Sequence, residues 1–373
     1  MTGAAELKFR DPDRARALYT ALHRLMAAMR RPVSLMHVCG THEQAIARFG
    51  LRAGLPSGLR IIMGPGCPVC VTDRPEVDAA VDLALQGVRL ATYGDMVRLP
   101  GSRMSLADAQ AEGAQVHVVY SALQAVELAR VRPEPLVFFS SGFETTAVAT
   151  AAIVQAEPPC NFSVLSAHKY VPAAMEAVAR LPAAQVEGFL AAGHAAVITG
   201  WGLFEDFARR HRRPVVVAGF EPLDILAALI KLLEMVRNDD ARVANAYPRC
   251  VTREGNRKAQ EALWRVFRKA DGPWRGIGII PDGNLELRDE WTRFDARQRF
   301  TVKSNWRAEP PSEAAGRCLC GKIMVGLVEP TDCPLFGHAC TPDAPVGACM
   351  VSSEGTCRIW HRYGGRPDLG SST

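Results

Sequence analysis

The chain has 373 residues, 48% of them hydrophobic and 22% charged, an ordinary globular composition with room for two or three domains, each with its own core. The 44 Lys and Arg against 39 Asp and Glu leave a formal charge of only +5 with no basic stripe, which argues against nucleic acid or an anionic membrane as partner. The longest apolar stretch, Leu223–Val236, is interrupted by Lys231 and Glu234 and is too short to span a bilayer.

The first seventeen residues, MTGAAELKFRDPDRARA, contain no apolar signal-peptide core, so a cytoplasmic protein is expected. Eleven cysteines are then unusual. Stable disulfides are uncommon in that compartment, so metal ligation or redox chemistry is the first reading.

Leu18, Leu22, Leu25, Met26 and Met29 share one face and predict a first helix, ended by Pro32. Short apolar runs follow at Val33–Val38, Leu59–Met63, Val88–Tyr93, Val116–Tyr120, Leu136–Phe139, Phe162–Ser166, Ala195–Thr199 and Pro214–Ala218. Helical stretches such as Ser121–Arg130, Thr145–Gln155 and Leu223–Arg237 separate them. This alternation predicts an α/β fold of βαβ units with parallel sheets buried on both faces. LVFFSSGFETT at 136–146 and PVVVAGFEPL at 214–223 echo one another as strand, Gly-Phe-Glu and helix, either by internal duplication or by chance. Two lobes are expected, over residues 1–134 and 135–240. Beyond about 240 the pattern changes. Asn238–Cys250 reads as irregular, Glu254–Ala270 as a helix, and Trp274–Leu287 as a hairpin turning at Asp282-Gly283. Residues 241–373 form a third region. From Arg307 it is rich in Pro, Gly and Cys, a mostly irregular or helical segment that needs metal or crosslinks to hold its fold.

Residues of chemical interest gather at the carboxyl ends of the predicted strands, where ligands collect in open parallel sheets. They are Cys39 to Glu43, Gly64 to Cys70, Gly142 to Thr146, His168-Lys169, and Gly219 to Pro222. Cys67 and Cys70, spaced C-x-x-C, can bind one soft metal or close a small disulfide. Cys39 stands at a helix start, a position that favours a thiolate, with His42 and Glu43 within a turn. Glu144 and Glu221 read either as acid–base groups or as first-turn carboxylates that complement a helix dipole. Cys160 and Cys250 read as plain thiols.

Cys318, Cys320, Cys333, Cys340, Cys349 and Cys357 are spaced C-x-C-x12-C-x6-C-x8-C-x7-C. Four thiolates can hold zinc or an iron–sulfur cluster, and spacing alone does not choose. The two left over could form a redox pair beside the metal. A phosphate-binding P-loop is absent, and Gly64-x-Gly66 does not complete a dinucleotide fingerprint.

MHVCGTHE at 36–43, GPGCPVCVT at 64–72, SSGFETTA at 140–147, WRGIGIIP at 274–281 and CMVSSEGTC at 349–357 together resemble the HypD family, maturation factors of nickel–iron hydrogenases. The resemblance runs from about residue 12 to 365. It implies a scaffold that, with the small chaperone HypC, carries the Fe(CN)2CO group during assembly. Cyanide then comes from HypE working with HypF, and the finished unit goes to the hydrogenase large subunit. By the same resemblance Cys39, Cys67 and Cys70 are the iron-handling thiols, with His42 and Glu43 belonging to the first motif. A 4Fe-4S cluster is implied in the C-terminal region, with Cys320, Cys333, Cys340, Cys349 and Cys357 as five candidates for four positions and Cys318 an optional extra. Glu354, inside the tail motif, would serve the cluster or a partner surface. The competing readings are an iron–sulfur-dependent thiol–disulfide oxidoreductase, which has no need of the Cys39–Glu43 motif, and a zinc-stabilised α/β binding protein.

Overall fold

A computed structural model describes residues 10–302 and 316–365. Residues 1–9 and the start of the Cys-rich stretch at Arg307 lie outside them. The fold is α/β, with two parallel-rich sheets and a largely helical and irregular cysteine-rich C-terminal region. Among the described residues no helix is long and apolar enough to cross a membrane.

The first sheet has the order β2-β1-β7-β8-β9, formed by Leu59–Met63, Val33–His37, Gly188–Ala192, Val215–Ala218 and Val243–Asn245, all parallel. Successive side chains enter different cores, as pleating requires. Val33 and Leu35 pack with the helices Pro12–Met29 and Pro222–Arg237, whereas Met36 and Val38 face the larger core shared with the rest of the chain. The second sheet has the order β10-β11-β6-β5-β3-β4. Its β3 to β6 (Arg89–Thr92, Val116–Val118, Leu136–Gly142 and Phe162–Lys169) are parallel, and the hairpin β10–β11 (Phe267–Trp274, Gly278–Leu287) adds antiparallel to β6. All seven residues of β5 are buried, which is why its first four, Leu136–Phe139, read as an unbroken apolar run.

The chain leaves the first sheet after β2, builds β3 to β6 in the second, and returns at β7. A cut between residues 134 and 135 therefore divides strands of one sheet, because β5 pairs with β3. The two Gly-Phe-Glu echoes follow β5 and β8, one in each sheet.

Four local expectations need correction. Ala195–Thr199 lies in the helix Gly193–Thr199, and the strand is the preceding GFLAA, Gly188–Ala192. Its small residues have weak strand propensity, but burial between β1 and β8 decides the state. The irregular Asn238–Cys250 contains the edge strand β9. The predicted helix to Ala270 stops at Val266, and the hairpin turns at Arg275–Ile277, where Gly276 has φ +73°. Asp282, φ +54°, instead marks the irregular part of β11 near a register shift between Ala270 and Gly272.

Each sheet has a point where the strand order reverses. In the first, β1 neighbours β2 on one side and β7 on the other; in the second, β3 and β5 flank the reversal. Crevices form beyond the carboxyl ends of strands at such points. Cys39 follows β1, and Asp95 follows β3.

Candidate functional site

Cys39 occupies the N-cap of the helix Gly40–Arg48 and is 3% exposed. Burial pushes its thiol up to about 11, although the backbone N–H groups of His42 and Thr41 work the other way. A helix start favours a thiolate, but here burial outweighs it. Cys39 clusters with Ala192 and Ala195, and Phe220 packs against that cluster.

The Gly64–Cys70 loop lies directly on this turn. Gly40 N–H donates to Gly66 O at 3.1 Å. A Cβ on Gly66 would stand 2.1 Å from the Val38 carbonyl carbon and 2.2 Å from the Cys39 nitrogen, so only glycine fits. Cys67 caps the short helix Pro68–Val71, and Cys70 N–H donates to its sulfur at 3.2 Å. The two sulfurs are joined as a disulfide, and both residues are 1% exposed. In this form the pair is oxidised and offers no thiolate to a metal.

The tail motif forms the third wall. Its Glu354 packs on Gly40 so tightly that a Cβ there would meet Glu354 Cβ at 2.6 Å, and Thr41 Oγ1 donates to Glu354 Oε1 at 3.1 Å. Ser352 Oγ and Ser353 N–H donate to Asp95 Oδ2 at 3.1 and 3.2 Å. The loop 352–354 thus ties the end of β1 to the end of β3, and so one reversal point to the other.

Glu43 and His42 serve this arrangement differently. Glu43 Oε1 accepts from Trp360 Nε1 at 2.7 Å, and Oε2 from Arg52 Nη2 at 2.6 Å and His37 Nε2 at 2.9 Å. Burial alone would raise its pKa, but Arg52 and His37 hold the carboxyl well below the usual carboxylate range. An ionised carboxylate with three donors is a strut between the Cys39 helix and the C-terminal helix Thr356–Tyr363. His42 Nε2 bonds Gly219 O at 2.9 Å, while Nδ1 has no partner. Burial, then His37, pushes His42 down to about 3, so it is neutral.

Glu144 is buried at the start of the helix that follows β5. Its Oε1 accepts from Val171 N–H at 3.0 Å, Oε2 has no partner, and burial pushes its carboxyl up to about 7. Its bonding thus stays within the six-stranded half. Glu221, from the second echo, is a surface partner of Arg10 instead. His168 lies in β6; its Nε2 meets Ser140 Oγ and Thr150 Oγ1 at 2.9 and 3.2 Å, while its buried Nδ1 has no partner.

Cys318, Cys320, Cys349 and Cys357 lie close together, with Cys340 and Cys333 nearby, although among the described residues no group of three or more His, Cys, Asp and Glu side chains is arranged to hold a metal ion. Cys318 Sγ lies 3.2 Å from Cys320 Sγ, and Cys320, Cys349 and Cys357 are within mutual hydrogen-bonding reach. Cys340 accepts from Val346 N–H at 3.4 Å and feels the charges of Cys318 and Cys333. Gly347 borders the group, where a Cβ would lie 2.5 Å from Cys320 Sγ and 2.7 Å from Cys318 Sγ. Cys318 is therefore a full member of this group. Sequence reasoning set it aside, although the C-x-C step was the signal that could have kept it. Arg275, buried in the WRG turn, was missed as well. Its Nε donates to Thr72 O and its Nη2 to Pro100 O, both at 2.7 Å, while its main-chain N–H donates to Val71 O at 3.0 Å. It thereby clasps the end of the Cys67–Cys70 helix, and the next residue, Gly276, packs on Gly321.

The sequence profile of the family described as "HypD: Hydrogenase formation hypA family" matches residues 13–364. The chain belongs to the HypD family. Among HypD relatives, the hydrogenase maturation factor HypD of Azotobacter vinelandii is 41% identical over 369 residues, covering 96% of each chain. That of Cupriavidus necator is 40% identical over 376 residues, covering 97% of each. That of Rhodobacter capsulatus is 39% identical over 368 residues, covering 96% of this chain and 97% of the relative. The HypD match therefore spans both sheets and the thiol-rich region.

Proposed function

We propose that this protein acts in hydrogenase maturation as the scaffold on which the Fe(CN)2CO unit is assembled and from which it passes to the hydrogenase large subunit. HypC is the proposed partner in holding the iron, HypE working with HypF supplies cyanide, and the site of action is the cytoplasm. The observation that carries this reading is the meeting of three motifs at one thiol. Gly66 lies against the backbone of Cys39, Glu354 lies against Gly40, and Cys39 stands at a reversal point of the sheet order.

The iron is cargo. Carbonyl and cyanide ligands favour low-spin iron(II), for which a soft thiolate is a suitable anchor. Cys39 supplies that anchor once iron displaces its proton. A single fixed thiolate leaves the iron's other positions to its diatomic ligands and to the chaperone, which suits a cargo that must be released. Cys67 and Cys70 add two thiolates when reduced. Their reduction breaks the S–S bond, takes two electrons from a low-potential donor and two protons from solvent, and yields two thiols that lose their protons on binding iron; reoxidation by a two-electron acceptor releases the iron and reforms the S–S bond. Arg275 and Gly66 keep that pair against the Cys39 turn throughout.

The C-terminal enclosure suits a 4Fe-4S cluster. It gathers Cys318, Cys320, Cys349 and Cys357 with Cys340 and Cys333 nearby, and Gly347 leaves room beside Cys318 and Cys320 where any side chain would intrude; these thiols would have to move together to close on a cluster. Four of Cys318, Cys320, Cys333, Cys340, Cys349 and Cys357 would hold it. Such a cluster, when bound, supplies electrons one at a time.

The test is Mössbauer spectroscopy on protein grown with iron-57 alongside its maturation partners and purified without oxygen. A low-spin iron(II) component separate from any cluster signal is expected. Cluster iron alone, with the Cys67–Cys70 pair turning over between disulfide and dithiol, would favour the oxidoreductase reading.

A further inference from the structure

A thiol that must receive iron carrying diatomic ligands is here 3% exposed, so some part of its enclosure has to move. Most of the walls are fixed. Gly66 and the Val38–Cys39 peptide are in backbone contact, and Gly40 is pinned by Glu354. Ala192 and Ala195 have no side-chain torsion to turn. The remaining member of the cluster is Phe220, only partly buried.

Its main chain is not free. A Cβ on the preceding Gly219 would stand 2.3 Å from Asp224 Oδ2 and 2.7 Å from the Tyr247 ring, so that segment is packed tightly. The Phe220 ring itself packs against two imidazoles, His42 at 4.8 Å and the exposed His194 at 5.1 Å between centroids, and edge-on against Tyr247 at 6.3 Å. Nothing covalent or ionic holds it there. A rotation about its own side-chain torsions removes one apolar wall of Cys39 without disturbing a strand, a helix or a hydrogen bond.

We propose that Phe220 is the positioning residue that controls access to the Cys39 sulfur, its ring closing the site against His42 and His194 and swinging outward to admit the iron unit. The proposal rests on reading Cys39 as the iron anchor, but it concerns the metal-free thiol and is tested there. When closed, the ring excludes water and oxidants from the thiol; when open, it exposes a single sulfur at the end of β1.

The experiment is alkylation of the metal-free full-length protein at fixed pH, with the Cys67–Cys70 disulfide intact and modification read peptide by peptide. Iodoacetamide serves as the small probe and a biotinylated maleimide as the large one. The exposed Cys160 is the internal reference, and the buried Cys333 reports general loosening. Phe220→Ala is expected to raise the Cys39 rate about tenfold or more, because access limits a buried thiol, and to abolish the discrimination between the two probes. Phe220→Leu is expected to restore most of the protection. An unchanged Cys39 rate and probe discrimination in Phe220→Ala would overturn the proposal, and so would an equal acceleration at Cys333. Absence of low-spin iron in the Mössbauer experiment would remove the cargo but leave this result standing.

Discussion

Gly66 and Cys39 are in backbone contact: a Cβ on Gly66 would lie 2.2 Å from the Cys39 nitrogen. The two cysteine motifs are thereby held to one geometry by the lack of a single methyl group. Gly66→Ala must push the loops apart, since the obstruction is main chain. The substitution is expected to cost about 1–3 kcal/mol, as overpacking does, and to reduce iron retention. Urea unfolding and iron content check both. A variant with wild-type stability and full iron loading would show that the contact does not matter.

Glu43 links the Cys39 helix to Trp360, and its acidity gives a test. Its folded pKa is depressed, so the stability it contributes is complete above the ordinary carboxylate range and is lost as pH falls through its folded value. Glu43→Gln should destabilise the protein at neutral pH by about 3 kcal/mol, the cost of breaking a buried pair. The gap from wild type should narrow in acid. Unfolding curves at pH 7 and pH 3 measure it; a gap that widened in acid would contradict the assignment.

Glu144 behaves in the opposite sense. Burial raises its carboxyl to about 7, so the native state binds a proton that the unfolded chain has released. Its contribution is full below the ordinary glutamate range and is lost as pH rises through about 7, with a slope on the order of 1 kcal/mol per pH unit. Glu144→Gln should flatten stability between pH 5 and pH 8. A parallel offset at every pH would mean that this carboxyl does not titrate there.

The six thiols make a counting experiment possible. Cysteine-to-serine variants at 318, 320, 333, 340, 349 and 357 are expected to divide, four losing iron and acid-labile sulfide and two retaining them. Protein that contained zinc and no sulfide would contradict the cluster and support the metal-stabilised binding protein.

Much of this was legible in the chain. Leu59–Met63 is a strand with the predicted bounds because both of its faces are buried and every residue is apolar except Arg60. The motif loops at Cys39, Cys67 and Glu144 were placed at strand ends correctly for the same reason. Gly188–Ala192 was not legible, because its small residues become a strand only through neighbours far away in sequence. The departure to a second sheet and return at β7 were equally hidden, since local periodicity carries no information on pairing. Within the site, the residue types could be read but not their duties. Glu43 reads in sequence only as a member of the Cys39 motif and proves to be a strut once Arg52, His37 and Trp360 are seen around it.

The most direct test of the account is an infrared spectrum over the metal-carbonyl and metal-cyanide region, taken on wild type and Cys39→Ala purified side by side without oxygen from cells making the maturation partners. The account predicts bands for one carbonyl and two cyanides in wild type and none in Cys39→Ala, with the C-terminal iron and sulfide unchanged in both. Identical bands in the two proteins would contradict Cys39 as the anchor. A blank spectrum from wild type still bound to its chaperone would contradict the scaffold itself.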